Sequence, residues 1–189
     1  LGAIRAQVLS AFELLRDHLT AGGTIYLCGN GGSAADAEHW AGELVKGFES
    51  RRPLTPDEHS NLPTDLASRL QRGIRAVPLT GFMSLRTAVA NDIAGEMEFA
   101  QLAWTFCTQR DVLVGISTSG NSRNVILAMQ AARARGAKTL ALVGSGGGTM
   151  ADLADLAVRV PATRTLHVQE QHLPVYHCLS LMLEDHFFG

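Results

Sequence analysis

The stretch TIYLCGNGGSAADAEHWAGELV, residues 24–45, constrains the fold more than any other. Its apolar run, Ile25 to Cys28, reads as a short buried strand. Gly29, Asn30, Gly31, Gly32 and Ser33 make a turn, and an alanine-rich helical pattern follows. DVLVGISTSGNSRNVILAMQAARARG (111–136) repeats the order of strand, polar glycine turn and helix, and KTLALVGSGGGTMADLADLA (138–157) repeats it again. Short apolar strands alternating with helices give a parallel sheet covered on both faces, with right-handed crossovers.

Other elements attach to that frame. Ile4, Val8, Phe12, Leu15 and Leu19 recur at helical spacing, which predicts an amphipathic N-terminal helix over 3–20, ended by Gly22 and Gly23. Phe48 extends the apolar face of the helix that follows GNGGS, with Gly47 and Pro53 limiting its length. Residues 49–73 are polar and hold three prolines. Within them DLASRLQRG predicts a short helix ending at Gly73, and the rest reads as a surface lid or interface arm. Arg51, Arg52 and His59 are expected on a solvated face rather than against a substrate. IRAVPLT (74–80) predicts a strand, and 83–91 a helix. Asn91 and Asp92 precede a further helix, where they can cap it or face a pocket. AVRVPA is the last strand. Residues 166–188 form a long closing helix that Pro174 either restarts or kinks. Its stripe of Leu173, Tyr176, Leu179, Leu183 and Phe187 reads as core or subunit contact.

A chain of 189 residues with 46% apolar content is expected to form one domain, 1–189. The net charge is −2 and the arginines are scattered, so no strong field favours nucleic acid. No apolar run is long enough for a membrane span, and no secretory signal is visible. Cys28, Cys107 and Cys178 lie in apolar runs and read as reduced core thiols of a cytoplasmic protein.

The chemistry gathers at two turns. In GNGGS, glycines let backbone N–H groups approach an oxygen, and the helix start adds unpaired N–H groups. Asn30 and Gly31 belong to this anion site, and Ser33 stands where a cap residue belongs. GNGGS is not a complete dinucleotide fingerprint, and alone it is often a plain turn. ISTSGNS supplies the second cluster. Ser117, Thr118, Ser119 and Ser122 at a strand end and helix start suit phosphate oxygens. His39 and Glu43, four residues apart, share one helix face. Gln169 and His177, eight apart, share another, with His172 rotated away. Two imidazoles, a carboxylate and an amide oxygen make a plausible set for zinc or another divalent ion. Taken singly, His39 and Glu43 read as an ordinary structural histidine and a surface acid.

GNGGSAADAEHWAGEL, RRP, AVAND, VLVGISTSGNSRNV, GGGTMADLADLAVRVP and VQEQHLPVYH together resemble the sugar isomerase (SIS) domain. The closer resemblance is to the phosphoheptose isomerase family, over nearly the whole chain. It implies a three-layer, flavodoxin-like α/β sandwich with a central five-stranded parallel sheet and an extra N-terminal helix. It implies interconversion of sedoheptulose 7-phosphate and D-glycero-D-manno-heptose 7-phosphate through an enediol, in a homotetramer whose active sites lie at subunit interfaces. The family's metal positions match His39, Glu43, Gln169 and His177. Its phosphate positions match Ser33, Ser117, Thr118, Ser119 and Ser122, and its Asn-Asp pair matches Asn91 and Asp92. The resemblance puts the catalytic base on Glu43 and the proton-handling imidazole on His177, with Gln169 also beside the sugar. Two departures stand out. The 49–73 segment is longer than the usual form, and Leu166 replaces the family's Asp, removing a polar contact. The rival expectation is a non-catalytic relative that binds a replication initiator, but there the position of Glu43 is not acidic. A sugar-phosphate-sensing module would be expected to bring a DNA- or nucleotide-binding domain with it.

Overall fold

The computed structural model of the chain describes residues 2–189. Among them the strands are β1 (Ile25–Gly29), β2 (Ala76–Pro78), β3 (Val112–Ser117), β4 (Lys138–Gly144) and β5 (Leu156–Val160). They pair in parallel in the order β2-β1-β3-β4-β5, so the expected five-stranded sheet forms. After β1 the chain adds β2 on one side, then crosses to β3 on the other. Ligands of such sheets bind where the strand order reverses, here beyond the carboxyl ends of β1 and β3. The register pairs Gly29 with Ile116, so the two polar turns leave the sheet side by side.

The helices are α1 (Arg5–Thr20), α2 (Gly32–Val45), α3 (Pro56–Ser60), α4 (Thr64–Ala67), α5 (Met83–Val89), α6 (Glu98–Phe106), α7 (Arg123–Ala134), α8 (Gly148–Leu153) and α9 (Thr165–Phe188). Val112, Val114 and Ile116 of β3 join a core with Leu15, Trp40, Leu44, Tyr176 and Leu183 of α1, α2 and α9. Leu113 turns to the opposite core with Phe99, Leu102, Val125, Met129 and Met150 of α6, α7 and α8. The two-residue period of a strand divides them in this way. Cys28 and Cys107 are buried and unpaired, as expected of core thiols, whereas Cys178 is partly exposed. Burial pushes the Cys107 thiol up to about 12.

Several local expectations change. The strand expected over 74–80 shrinks to Ala76–Pro78 at the sheet edge, where a proline without an N–H is tolerated. α2 stops at Val45, so Phe48 does not extend its face. Phe48 instead lies in the following loop with its ring 5.3 Å from that of His177. Pro174 does not restart a helix, because α9 runs through it as one element. The helix expected to reach Gly73 is the single turn α4. The segment also holds α3, started by a capping box in which Thr55 and Glu58 satisfy each other's backbone N–H groups. Asn91 and Asp92 do not cap α6. They sit in a wide π turn, Ala90–Ala94, and bond to each other at 2.8 Å.

Arg52 is the largest correction. It is only 1% exposed, not solvated. Its Nε donates to Glu184 Oε1 at 2.8 Å, and its Nη atoms donate to the carbonyls of Leu44 (2.7 Å) and Glu43 (3.1 Å). Those carbonyls belong to the last turn of α2 and have no partner within the helix. Glu184 in turn accepts the N–H groups of Phe48, Glu49 and Ser50 at 2.9–3.0 Å. The pair therefore ties the end of α2, and the loop behind it, to α9. Burial alone would raise the Glu184 pKa. The N–H of Phe48, the Arg52 guanidinium and the two further N–H groups outweigh it and hold the carboxyl below its usual value.

Candidate active site at the carboxyl ends of β1 and β3

The first turn is built on a left-handed glycine. Gly31 has φ +54° at the position before α2, a conformation that disfavours any side chain. This advances the helix start to Gly32. Ser33 is therefore inside the first turn, makes no capping bond, and is not the cap residue that the sequence implies. A Cβ on Gly32 would overlap Gln169 Nε2 at 2.2 Å, so a bare backbone is what lets α9 approach this turn.

The second turn is tied by hydroxyls. Ser117 Oγ lies 2.9 Å from Ser122 Oγ and accepts the Gly120 N–H at 3.2 Å. Ser119 Oγ accepts the Asn121 N–H at 3.2 Å. The two turns join through a reciprocal amide pair. Asn30 Nδ2 donates to Asn124 Oδ1 at 2.8 Å, and Asn124 Nδ2 returns a bond to Asn30 Oδ1 at 2.9 Å. Asn124 also donates to Glu98, which pairs with Arg86.

Between the turns lies an open cleft of about 330 Å³. Asn30, Gly31, Gly32 and Ser33 line it from one side, and Ser117, Thr118, Ser119 and Ser122 from the other. Gln169 and Thr165 of α9 complete it. Every expected phosphate residue of the two turns thus faces one space. Asn91 and Asp92 do not line it. Leu166, at the start of α9, is 45% exposed.

Further along the two helices whose first turns line the cleft, α2 and α9 bring three groups together. Glu43 is 5% exposed; its Oε1 lies 3.2 Å from His39 Nε2 and 3.0 Å from His177 Nε2. One ligand atom from each residue falls within 4.8 Å of the others. Yet Glu43 Oε1 and His177 Nε2 are buried and make no hydrogen bond. Three lone-pair donors turned toward one point, two of them unsatisfied, fit a divalent cation. The expected fourth member, Gln169, lies against Gly32 and lines the cleft between the two turns.

Two residues of α9 that the sequence does not single out as polar partners surround the cluster. Tyr176, expected as core, is fully buried but presents its hydroxyl 3.1 Å from His39 Nδ1 and 3.3 Å from Asp36 Oδ1. Ser180 Oγ donates to Glu43 Oε2 at 2.9 Å. Spacing held a signal for them. On α9, Tyr176 and Ser180 are four apart and flank His177, so all three can face α2.

A family model described as the SIS domain matches residues 3–144. The phosphoheptose isomerase of Akkermansia muciniphila is 37% identical over 189 residues, covering 100% of this chain and 90% of the relative. That of Geobacter sulfurreducens is 38% identical, covering 98% and 88%. The solved phosphoheptose isomerase of Neisseria gonorrhoeae superposes with a TM-score of 0.79 at 35% identity, covering 95% of this chain and 86% of that one. By sequence and by fold, this chain belongs to the phosphoheptose isomerase family of SIS-domain proteins.

Proposed function

We propose that the chain is an aldose–ketose isomerase that interconverts sedoheptulose 7-phosphate and D-glycero-D-manno-heptose 7-phosphate. The observation that carries this is the approach of Glu43 to His177, 3.0 Å apart on separate helices, beside a cleft made of two anion-binding turns. The phosphate sits among Ser33, Ser117, Thr118, Ser119 and Ser122. Its binding energy orients the far end of the open-chain sugar over the cluster. Glu43 takes the proton from the carbon next to the carbonyl and returns it to the neighbouring carbon, through a cis-enediol. His177 moves a proton between the two oxygens.

His39, Glu43 and His177 would hold a divalent cation, zinc by ligand type, with Gln169 as the further expected ligand. Bound there, the cation supplies Lewis-acid stabilisation of negative charge on oxygen. Glu43 would have to hold that cation weakly, or loosen from it, to act as a base. Residues 1–189 act as a single SIS domain, and the enzyme works as a homotetramer in the cytoplasm. No helix among the described residues is long and apolar enough to cross a membrane. Asn91 and Asp92, exposed on their turn, are read as contacts to sugar in the assembled oligomer. The rival binding-module reading has no support from the relatives above, and an acidic residue at 43 counts against it.

Incubation of purified protein with ¹³C-labelled sedoheptulose 7-phosphate, followed by NMR, tests the proposal. Appearance of aldose signals supports it; unchanged ketose after long incubation with added zinc rejects it.

A further inference from the structure

α9 gives more than one group to the cluster. Tyr176, His177 and Ser180 each reach a different polar atom on α2, and none of the three lines the cleft between the two turns. Tyr176 is held rigidly, its ring stacked on Trp40 at 5.7 Å with 20° between planes. Its single hydroxyl proton goes to Asp36 Oδ1. The hydroxyl oxygen is left as an acceptor, so His39 Nδ1, 3.1 Å away, must carry a hydrogen and donate. The lone pair of His39 is thereby confined to Nε2, the atom turned toward Glu43. Ser180, with no exposed surface, engages Oε2 of Glu43 and leaves Oε1 facing both imidazoles.

We infer that Tyr176 and Ser180 are positioning residues: Tyr176, through Asp36, sets the tautomer of His39, and Ser180 selects which oxygen of Glu43 faces the centre. The inference rests on the metal and base roles proposed above. It makes the cation affinity of the chain a property of α9 residues that touch neither cation nor sugar. Partners of this kind typically change metal affinity by about 10- to 100-fold.

The test uses the purified chain stripped of metal, titrated with Co²⁺ and followed by its d–d absorption. Tyr176→Phe removes one oxygen and keeps the ring on Trp40; Ser180→Ala removes one hydroxyl. Each variant is expected to bind Co²⁺ about 10-fold or more weakly with an altered band shape. The melting temperature of the metal-free protein should shift by only a few degrees. Asp36→Ala, which removes the acceptor of the Tyr176 hydroxyl, should mimic Tyr176→Phe. Parent affinity and parent band shape in both hydroxyl-deletion variants would overturn the inference, as would a parent that takes up no cation. If the isomerase proposal alone is wrong, the parent fails to convert the sugar while the Co²⁺ differences persist.

Discussion

Oε1 of Glu43 lies 3.0 Å from Nε2 of His177, and neither atom has a hydrogen-bond partner. The two residues come from helices that meet only because α2 and α9 pack on the same face of the sheet. Unsatisfied buried polar atoms are costly, so something that stabilises this cluster should raise stability measurably.

Saturating Zn²⁺ is therefore expected to raise the melting temperature of chelator-treated protein. At a hundredfold excess over Kd the gain is about 2.7 kcal/mol, or about 5–10 °C for a chain of this size. His177→Gln should abolish most of the rise. Differential scanning calorimetry checks both, and an equal rise in the variant would place the ion elsewhere.

Ser119→Ala should chiefly weaken substrate binding. Loss of one hydrogen bond to a charged phosphate corresponds to about 1.5–3 kcal/mol, or about 10- to 100-fold in KM. The kcat should change much less, because the proposed function puts this hydroxyl at the phosphate and not at the reacting carbons. Steady-state kinetics decide, and an unchanged KM would detach this turn from phosphate.

Arg52 and Glu184 should prove structural. Arg52→Met leaves Glu184 buried without its cation and takes a donor from two last-turn carbonyls of α2, of which Leu44 O keeps the Ile74 N–H at 2.8 Å. Breaking such a pair from one side costs about 3–5 kcal/mol, readable by urea unfolding. The pH dependence has a definite sign. The folded Glu184 pKa is depressed below its ordinary 4.5. Its contribution is therefore fully present above pH 4.5 and lost as pH falls through the folded value. Glu184→Gln should remove that component of acid sensitivity.

His172 adds a second acid-sensitive element, higher on the pH scale. It is fully buried, and burial holds its pKa down to about 4, the Val143 backbone pulling weakly the other way. The unfolded chain binds a proton near 6.5 that the folded chain refuses. The contribution of His172 to stability should thus be flat above pH 6.5 and fall between 6.5 and about 4. The slope is at most about 1.4 kcal/mol per pH unit. His172→Leu should flatten this part of a denaturation-versus-pH series.

Much of the frame was readable because local patterns dictate it. Each apolar run followed by a glycine turn became a strand and a helix start, and the hydroxyls of 117–122 reached the same cleft as Asn30 to Ser33. What escaped depends on partners distant in sequence. Nothing near Arg52 announces Glu184, so a proline-rich, charged segment reads as solvated. Tyr176 and Ser180 look like core positions until α2 is laid against them. Ser33 looks like a cap because the positive φ of Gly31, which moves the helix start forward, is not written in residue type alone.

Solvent exchange tests the role of Glu43 most directly. Sedoheptulose 7-phosphate is incubated in D₂O, and loss of one of its two C1 hydrogens is followed by ¹H NMR. The parent should exchange that hydrogen and form aldose, whereas Glu43→Gln, with a parent-like circular dichroism spectrum, should slow both by about 10²- to 10⁴-fold. Exchange in Glu43→Gln within a few-fold of the parent would contradict the assignment of Glu43 as the base.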